Sequence, residues 1–148
     1  MRRSRARGFT LVEVVLVLVI GVAAYLLILG VPLRGTSGAD LKAAARSVAA
    51  GLRQAQTIAM TTRRDTALTI DLDAREFTVT GDTTVRQLPK DLDLQLYTAQ
   101  SEVTSDKRGA IRFYADGSST GGRVTVAYGE RKYLVDVDWL TGRVAIND

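Results

Sequence analysis

The sequence predicts an α+β protein: a long N-terminal helix, apolar in its first half and amphipathic in its second, packs on an antiparallel β-sheet domain. Three observations support this class. Residues 14–33 carry no charged side chain. Apolar residues then recur at helical spacing between residues 39 and 62, and apolar and polar residues begin to alternate after Arg64. With 148 residues the chain has room for one domain beside its N-terminal segment.

The N-terminal segment joins a basic leader to an apolar run. Residues 1–8 hold four arginines and no acid, and the 20 uncharged residues that follow Glu13 form about 30 Å of helix, which is enough to cross a bilayer. The run is too long for a cleaved secretory signal, whose apolar core spans ~7–15 residues. An ordinary single-span anchor leaves Glu13 unexplained, because a carboxylate in a span costs about 2.5–3.5 kcal/mol. The basic leader predicts that the N-terminus stays in the cytoplasm.

The string Arg7-Gly8-Phe9-Thr10-Leu11-Val12-Glu13 resembles the prepilin signature of type IV pilins and type II secretion pseudopilins. The resemblance implies that a prepilin peptidase cuts between Gly8 and Phe9 and that Phe9 is then N-methylated. It makes Glu13 the acidic residue that pairs with the terminal ammonium of an adjacent subunit. Such a buried pair specifies the register of assembly more than it adds stability. The segment thus divides into a leader, 1–8, and a transmembrane or filament-core helix, 9–33.

Residues 34–62 are predicted to form a hinge and an amphipathic helix. Pro32 and the glycines around it interrupt the helical pattern, which resumes from residue 39 to residue 62, with Ser37 or Asp40 as the candidate cap. The apolar stripe consists of Leu41, Ala44, Ala45, Val48, Leu52, Ala55 and Ile58 or Ala59. The polar residues off the stripe are Lys42, Arg46, Arg53, Gln54 and Gln56, and the basic ones among them are interpreted as a solvated face rather than a binding patch.

Residues 63–148 are predicted to form one antiparallel β domain, because closely spaced strands pair as hairpins. Alternation places strands at 67–72, 77–80, 92–96, 111–114, 123–128, 133–139 and 143–146. Residues 100–109 are predicted to be a polar loop and residues 115–122 a turn-rich loop. Trp139 is interpreted as a core or rim aromatic.

The composition argues against an enzyme and against a nucleic-acid partner. The chain has 20 basic and 16 acidic residues, and removing the four leader arginines leaves 16 of each, so the folded part is balanced. Without cysteine or histidine, no thiolate site or histidine-based catalytic set can form. The pairs Asp71/Asp73 and Asp136/Asp138 are interpreted as solvated strand faces, since calcium needs ~6–8 oxygens. No cofactor is expected, and the glycine-rich loop 116–123 lacks the ending of a phosphate loop.

Two C-terminal stretches are similar to the minor pseudopilin H family of type II secretion systems: Phe113 to Val124, with its Asp-Gly turn, and Val137 to Val144. The resemblance implies a subunit at or near the tip of a periplasmic pseudopilus that helps to export folded proteins across the outer membrane. Its implied partners are other minor pseudopilins, the major pseudopilin, the prepilin peptidase and the inner-membrane assembly platform. The implied location is the bacterial inner membrane, crossed once, with the globular domain in the periplasm.

The alternative is a minor type IV pilin that binds DNA in pilus assembly or DNA uptake. Pilins of that kind carry a basic Gly-Arg-x-Arg motif near the C-terminus. Here Gly142-Arg143-Val144-Ala145 has only the first arginine of that motif. The balanced charge also argues against a surface that follows a phosphate backbone.

Overall fold

The computed structural model describes residues 10–29 and 38–148. They belong to two compact units, one that contains helix α1 and one that contains everything from residue 38 onward. Helix α1 runs over Leu11–Leu29, within the predicted segment 9–33. The leader, Phe9 and the predicted hinge around Pro32 lie outside the described residues.

Helix α2 runs over Gly38–Thr62, as the apolar stripe predicts. Every member of the stripe from Leu41 to Ala55 is buried, and at its end Ala59 is buried while Ile58 is partly buried. Ala49 and Gly51 are buried too, so the contact face is wider than the stripe. A Cβ on Gly51 would lie 2.6 Å from Cε2 of Phe77, so the missing side chain lets the helix approach the sheet closely. Asp40 lies in the first turn, where a negative charge is favourable.

Nine strands and one short 3₁₀ helix follow α2. The strands are β1 (Thr66–Asp71), β2 (Glu76–Val79), β3 (Arg86–Gln87), β4 (Asp93–Thr98), β5 (Val103–Ser105), β6 (Arg108–Phe113), β7 (Gly122–Tyr128), β8 (Arg131–Val137) and β9 (Val144–Asn147). The 3₁₀ helix is Gln100–Glu102. All strand pairs are antiparallel, as the hairpin spacing predicts.

The predicted antiparallel β-sheet domain is confirmed, and it consists of two sheets. The first sheet has the order β3-β2-β1-β6-β5 and the second the order β4-β7-β8-β9. Strand β6 pairs with β1, and β4 pairs with β7. The two strands of each pair are not consecutive in the sequence. Periodicity identifies a strand and its buried face, but it carries no information about a distant partner.

Three local features differ from the prediction. Residues 100–109 are not a loop throughout, because the 3₁₀ helix, β5 and the start of β6 occupy them. The short strand β3 was not predicted, since two residues are too few for a detectable alternation. Strand β8 ends at Val137, before Trp139, so that residue belongs to the following turn.

The core lies where α2 packs on both sheets. The first sheet contributes Leu68, Ile70, Phe77, Ile111 and Phe113, and the second contributes Val124, Val126, Val135 and Val137. Burial of a side chain of this size contributes roughly 1.5–3 kcal/mol. One helix thus supplies the common surface that holds the two sheets together.

Candidate functional site

The first turn of α1 holds the acidic residue that the sequence singles out. The backbone N–H of Glu13 donates to the carbonyl oxygen of Thr10 at 3.0 Å and lies 3.3 Å from its hydroxyl Oγ1. Thr10 and Glu13 are thus spaced as in a capping box, and a carboxylate in the first turn also suits the positive end of the helix dipole. Glu13 therefore fits a helix start before any partner is considered. Gly8 and Phe9, the predicted cleavage and methylation residues, lie outside the described residues.

Helix α1 has apolar side chains on every side, and the first of them are exposed. The seven residues after Thr10 are all exposed, and Glu13 is the one polar residue among them. Leu11 is 81% and Leu16 is 57% exposed. A helix that is apolar all round requires an apolar environment, either lipid or other helices. Among the helices of the described residues, none combines the length and the apolar character that membrane crossing needs.

The β domain carries two loops that hold each other in place. One is residues 114–121, which follow β6, and the other is the turn 138–142, which follows β8. The N–H of Ser119 donates to the carbonyl of Trp139 at 2.8 Å, and its hydroxyl donates to the carbonyl of Asp138 at 3.1 Å. A Cβ on Gly142 would collide with the carbonyl oxygen of Gly117. The Asp116-Gly117 turn and the Thr141-Gly142 turn lie in the two stretches that carry the family resemblance, and they therefore form one interlocked structure.

Each loop is also ordered from within by an aspartate. Oδ1 of Asp138 accepts from the N–H of Leu140 at 3.1 Å and from the N–H and hydroxyl of Thr141, both at 2.8 Å. These bonds, above all that from the Thr141 N–H, lower the pKa of Asp138. In the other loop the hydroxyl and the N–H of Ser118 donate to Asp116 and lower its pKa. Both carboxylates act as acceptors within their own turns.

Gln56 of α2 joins both loops to the helix. Its side-chain amide donates to the carbonyl of Gly117 at 2.9 Å and to that of Thr141 at 3.1 Å. Arg53 and Gln54 also reach the β domain: Arg53 donates to the carbonyl of Val144 at 3.1 Å, and Gln54 to Asp82 at 3.0 Å. The three basic residues of the predicted solvated face, Lys42, Arg46 and Arg53, are exposed, whereas Gln54 and Gln56 are half-buried.

Trp139 and Leu140 project from the turn 138–142. Trp139 is 66% exposed and Leu140 is 63% exposed. The core interpretation of Trp139 is thus wrong, and only the rim interpretation fits. We call this pair the distal knob. It presents large apolar side chains on a turn that the hydrogen bonds above keep fixed.

The aspartates of the two acidic pairs contact basic side chains or accept hydrogen bonds within turns. Asp71 pairs with Arg108 and Asp136 with Arg123, while Asp73 lies 3.6 Å from Lys107. Asp71 also accepts from the N–H of Ala74, which is the largest cause of its lowered pKa. Within residues 10–29 and 38–148, the structure forms no group of three or more candidate metal ligands.

An apolar N-terminal helix with an acid in its first turn, followed by an amphipathic helix packed on antiparallel sheets, is the architecture of a pilin-like subunit. The fold resembles the minor pseudopilin EpsH of Vibrio cholerae with a TM-score of 0.58, 16% identity and coverage of 73% of this chain and 96% of that one. It resembles the minor pilin FimU of Pseudomonas aeruginosa with a TM-score of 0.56, 16% identity and coverage of 73% and 88%. These two likenesses define the fold and no more.

The sequence comparisons identify the family. Residues 44–141 match the profile of the type II transport protein GspH, and residues 3–24 match the prokaryotic N-terminal methylation motif. The type II secretion system protein H of Xanthomonas campestris pv. campestris is 33% identical over 142 residues, which cover 96% of this chain and 83% of that protein. The chain belongs to the GspH family, as the two C-terminal motifs predict.

Proposed function

We propose that this chain is a minor pseudopilin that assembles at or near the tip of a type II secretion pseudopilus and helps to export folded proteins across the outer membrane. The 33% identity to a type II secretion system protein H over almost the whole chain carries the proposal. Its partners are the other minor pseudopilins and the major pseudopilin. The role is mechanical, and no catalytic step is assigned to the chain.

The N-terminal segment supplies the proposed maturation and register chemistry. A prepilin peptidase cuts between Gly8 and Phe9, and Phe9 is methylated; the match of residues 3–24 to the methylation motif supports this. The cut removes the four leader arginines and creates an ammonium at Phe9. Glu13 then pairs with the ammonium of a neighbouring subunit, and a misplaced subunit leaves a buried charge unpaired.

The same segment anchors the protein before assembly. Residues 9–33 cross the inner membrane once, the assembly platform collects the subunit there, and the globular domain stands in the periplasm. The basic leader supports this orientation. The exposed apolar side chains of α1 support a lipid environment before assembly and a helical one afterwards.

Two variants test the proposal in a strain that lacks the gene. Gly8→Asp should abolish conversion of the precursor to the shorter form and abolish secretion. Glu13→Ala should be processed normally but fail to support secretion, whereas Glu13→Asp should restore part of it. If Glu13→Ala secreted as well as the unaltered chain, the role of Glu13 in register would be wrong. If the precursor were never cut, the assignment as a pseudopilin would be wrong.

The DNA-binding pilin remains the second class to test. Arg143 is exposed, and its N–H lies 3.3 Å from the hydroxyl of Thr141 in the turn 138–142. A single arginine on a domain of balanced charge does not favour phosphate binding. A gel shift with the full chain in detergent should show no salt-sensitive DNA binding at micromolar concentration; binding there would favour the pilin alternative.

A further inference from the structure

Helix α2 and the two residues after it carry an excess of positive charge that the β strands do not share. Residues 41–64 hold five basic residues and no acidic one, whereas residues 65–148 hold 10 basic and 14 acidic residues. The helix segment therefore has a net charge of +5 and the β segment one of −4, although the chain beyond the leader is balanced. A separation of this kind creates a positive field on the helix side that the net charge does not show.

Three of these cations share one exposed side of α2, which we call the basic face: Lys42, Arg46 and Arg53. At 3.6 residues per turn they lie within about 40° of one another around the helix axis and extend over about 16 Å along it. Within the part of the chain that the structure describes, none of the three forms an ion pair, and the ion pairs that are formed all lie in the β domain. Arg53 donates one hydrogen bond to the carbonyl of Val144 and stays exposed.

The side chains beside the basic face are small or uncharged. Ala43, Ala50 and Thr57 are exposed on the same side of the helix, and Met60 is 46% exposed. The opposite side of α2 is buried against the two sheets, so it is not available to a partner. The three cations are therefore uncovered and able to meet one extended, negatively charged surface together.

The chain itself limits how far α2 can move from a membrane. Helix α1 ends at Leu29 and α2 begins at Gly38, so the link between them spans at most about 32 Å. In the proposed function residues 9–33 cross the inner membrane, and α2 then begins close to the periplasmic surface of that membrane. A leaflet that contains anionic phospholipids attracts basic segments held near it.

We propose that the basic face of α2 binds anionic phospholipid headgroups at the periplasmic surface of the inner membrane, so that a subunit awaiting assembly holds its β domain against the membrane. The inference rests on the proposed function, because residues 9–33 must first anchor the chain. A DNA backbone offers the same phosphate chemistry, but the chain does not hold DNA beside α2.

The range of the attraction defines how α2 must lie. Charges act on each other over a Debye length of about 10 Å at 0.1 M salt, so all three cations contribute only when the helix lies along the surface. Each cation at an anionic surface raises the ratio of docked to free domains about fivefold. Docking by the basic face is therefore cumulative, sensitive to salt and dependent on anionic lipid.

The absence of cysteine from the sequence allows one fluorescent label at a chosen position of the full chain. Ala50→Cys, beside the basic face, is labelled, and the chain is reconstituted in lipid nanodiscs that contain a headgroup nitroxide quencher. In discs of phosphatidylcholine with phosphatidylglycerol the label should be quenched at low salt and should recover at high salt. In discs of phosphatidylcholine alone it should stay bright. A label at Tyr97→Cys, where the side chain is 79% exposed on β4, should stay bright in both.

A pair of double variants tests the cations themselves. Lys42→Gln combined with Arg46→Gln should lower the ratio of docked to free domains about 25-fold, so the quenching should fall to the level of the neutral discs. Lys90→Gln combined with Lys107→Gln removes two exposed cations of the β domain and changes the net charge by the same amount. This matched control should leave the quenching unchanged.

The outcomes separate this inference from the function on which it rests. Equal quenching in neutral and anionic discs, or quenching no stronger than that of the Tyr97→Cys label, would overturn the lipid contact, while cleavage after Gly8 and secretion would still support the pseudopilin assignment. A DNA gel shift that Lys42→Gln combined with Arg46→Gln abolishes would overturn the choice of lipid. If the chain did not stay in the discs at all, both proposals would fall.

Discussion

The side-chain amide of Gln56 lies 2.9 Å from the carbonyl oxygen of Gly117 and ties the middle of the helix–sheet contact to a loop 61 residues further along the chain. The same amide reaches Thr141, so one side chain of α2 fixes both loops that carry the family motifs. Gly117 and Thr141 provide the backbone carbonyls, Gly142 provides the space, and Gln56 provides the donor.

Removal of the Gln56 amide should therefore destabilise the domain. Gln56→Ala deletes two hydrogen bonds of about 0.5–1.5 kcal/mol each, so the free energy of unfolding should fall by about 1–3 kcal/mol. Urea denaturation of the full chain in detergent measures it, with Lys42→Ala, on the exposed side of the same helix, as the control. A change no larger than that of the control would mean that the two loops hold themselves without the helix.

Gly142 should tolerate an added methyl group far less than Gly129 does. Both glycines have positive φ, +63° and +60°, so alanine strains both backbones by a similar amount, of order 1–3 kcal/mol. At Gly142 the new Cβ also meets Gly117 and Gln56, whereas at Gly129 nothing lies within 4 Å. Gly142→Ala should thus lower the unfolding midpoint clearly more than Gly129→Ala. Equal losses would show that strain alone matters at residue 142.

At Gly51 two effects of opposite sign compete. Alanine is favoured over glycine inside a helix by about 1 kcal/mol, but its methyl group would lie 2.6 Å from Phe77 and 2.9 Å from Leu68. Overpacking of a core costs about 1–3 kcal/mol, so Gly51→Ala should destabilise the domain. When Gly51→Ala is added to Phe77→Leu, it should lower the stability by less than it does in the unaltered chain. If Gly51→Ala stabilised the domain, the helix would have room to move away from the sheet.

The loss of stability at acidic pH should come from aspartates whose pKa values are lowered by folding. The N–H of Thr84 lowers the pKa of Asp82 most, to about 2, with help from the Thr84 hydroxyl and Gln54. The pKa values of Asp71 and Asp136 are lowered as well, chiefly by the N–H of Ala74 and by Arg123 respectively.

A lowered folded-state pKa stabilises the protein above the unfolded value of about 3.9, and this contribution is lost as the pH falls through the folded value. The urea midpoint should stay level from pH 8 to about pH 5, since the chain has no histidine, and should fall below about pH 4. Asp82→Asn should make the fall shallower. A midpoint that rose on acidification would contradict the sign of all these shifts.

Much of the fold could be predicted because its signals are local. The stripe from Leu41 to Ala59 defined α2, and alternation defined most of the strands. The chemistry of Gly8, Phe9 and Glu13 came from a resemblance, so it stays a prediction. Gln56 and the distal knob could not be predicted: a glutamine off the stripe looks like any solvated residue, and a tryptophan looks like core until its strand is seen to end at Val137.

The sequence by itself determined the order of elements, the buried face of each and the family, because periodicity and short motifs depend on residues close together in the chain. Only the tertiary structure decided that the strands divide into two sheets, that Gln56 binds both motif loops and that Trp139 points outward. Those features depend on pairings between distant residues, such as β4 with β7, which are chosen by the packing of the whole core on α2.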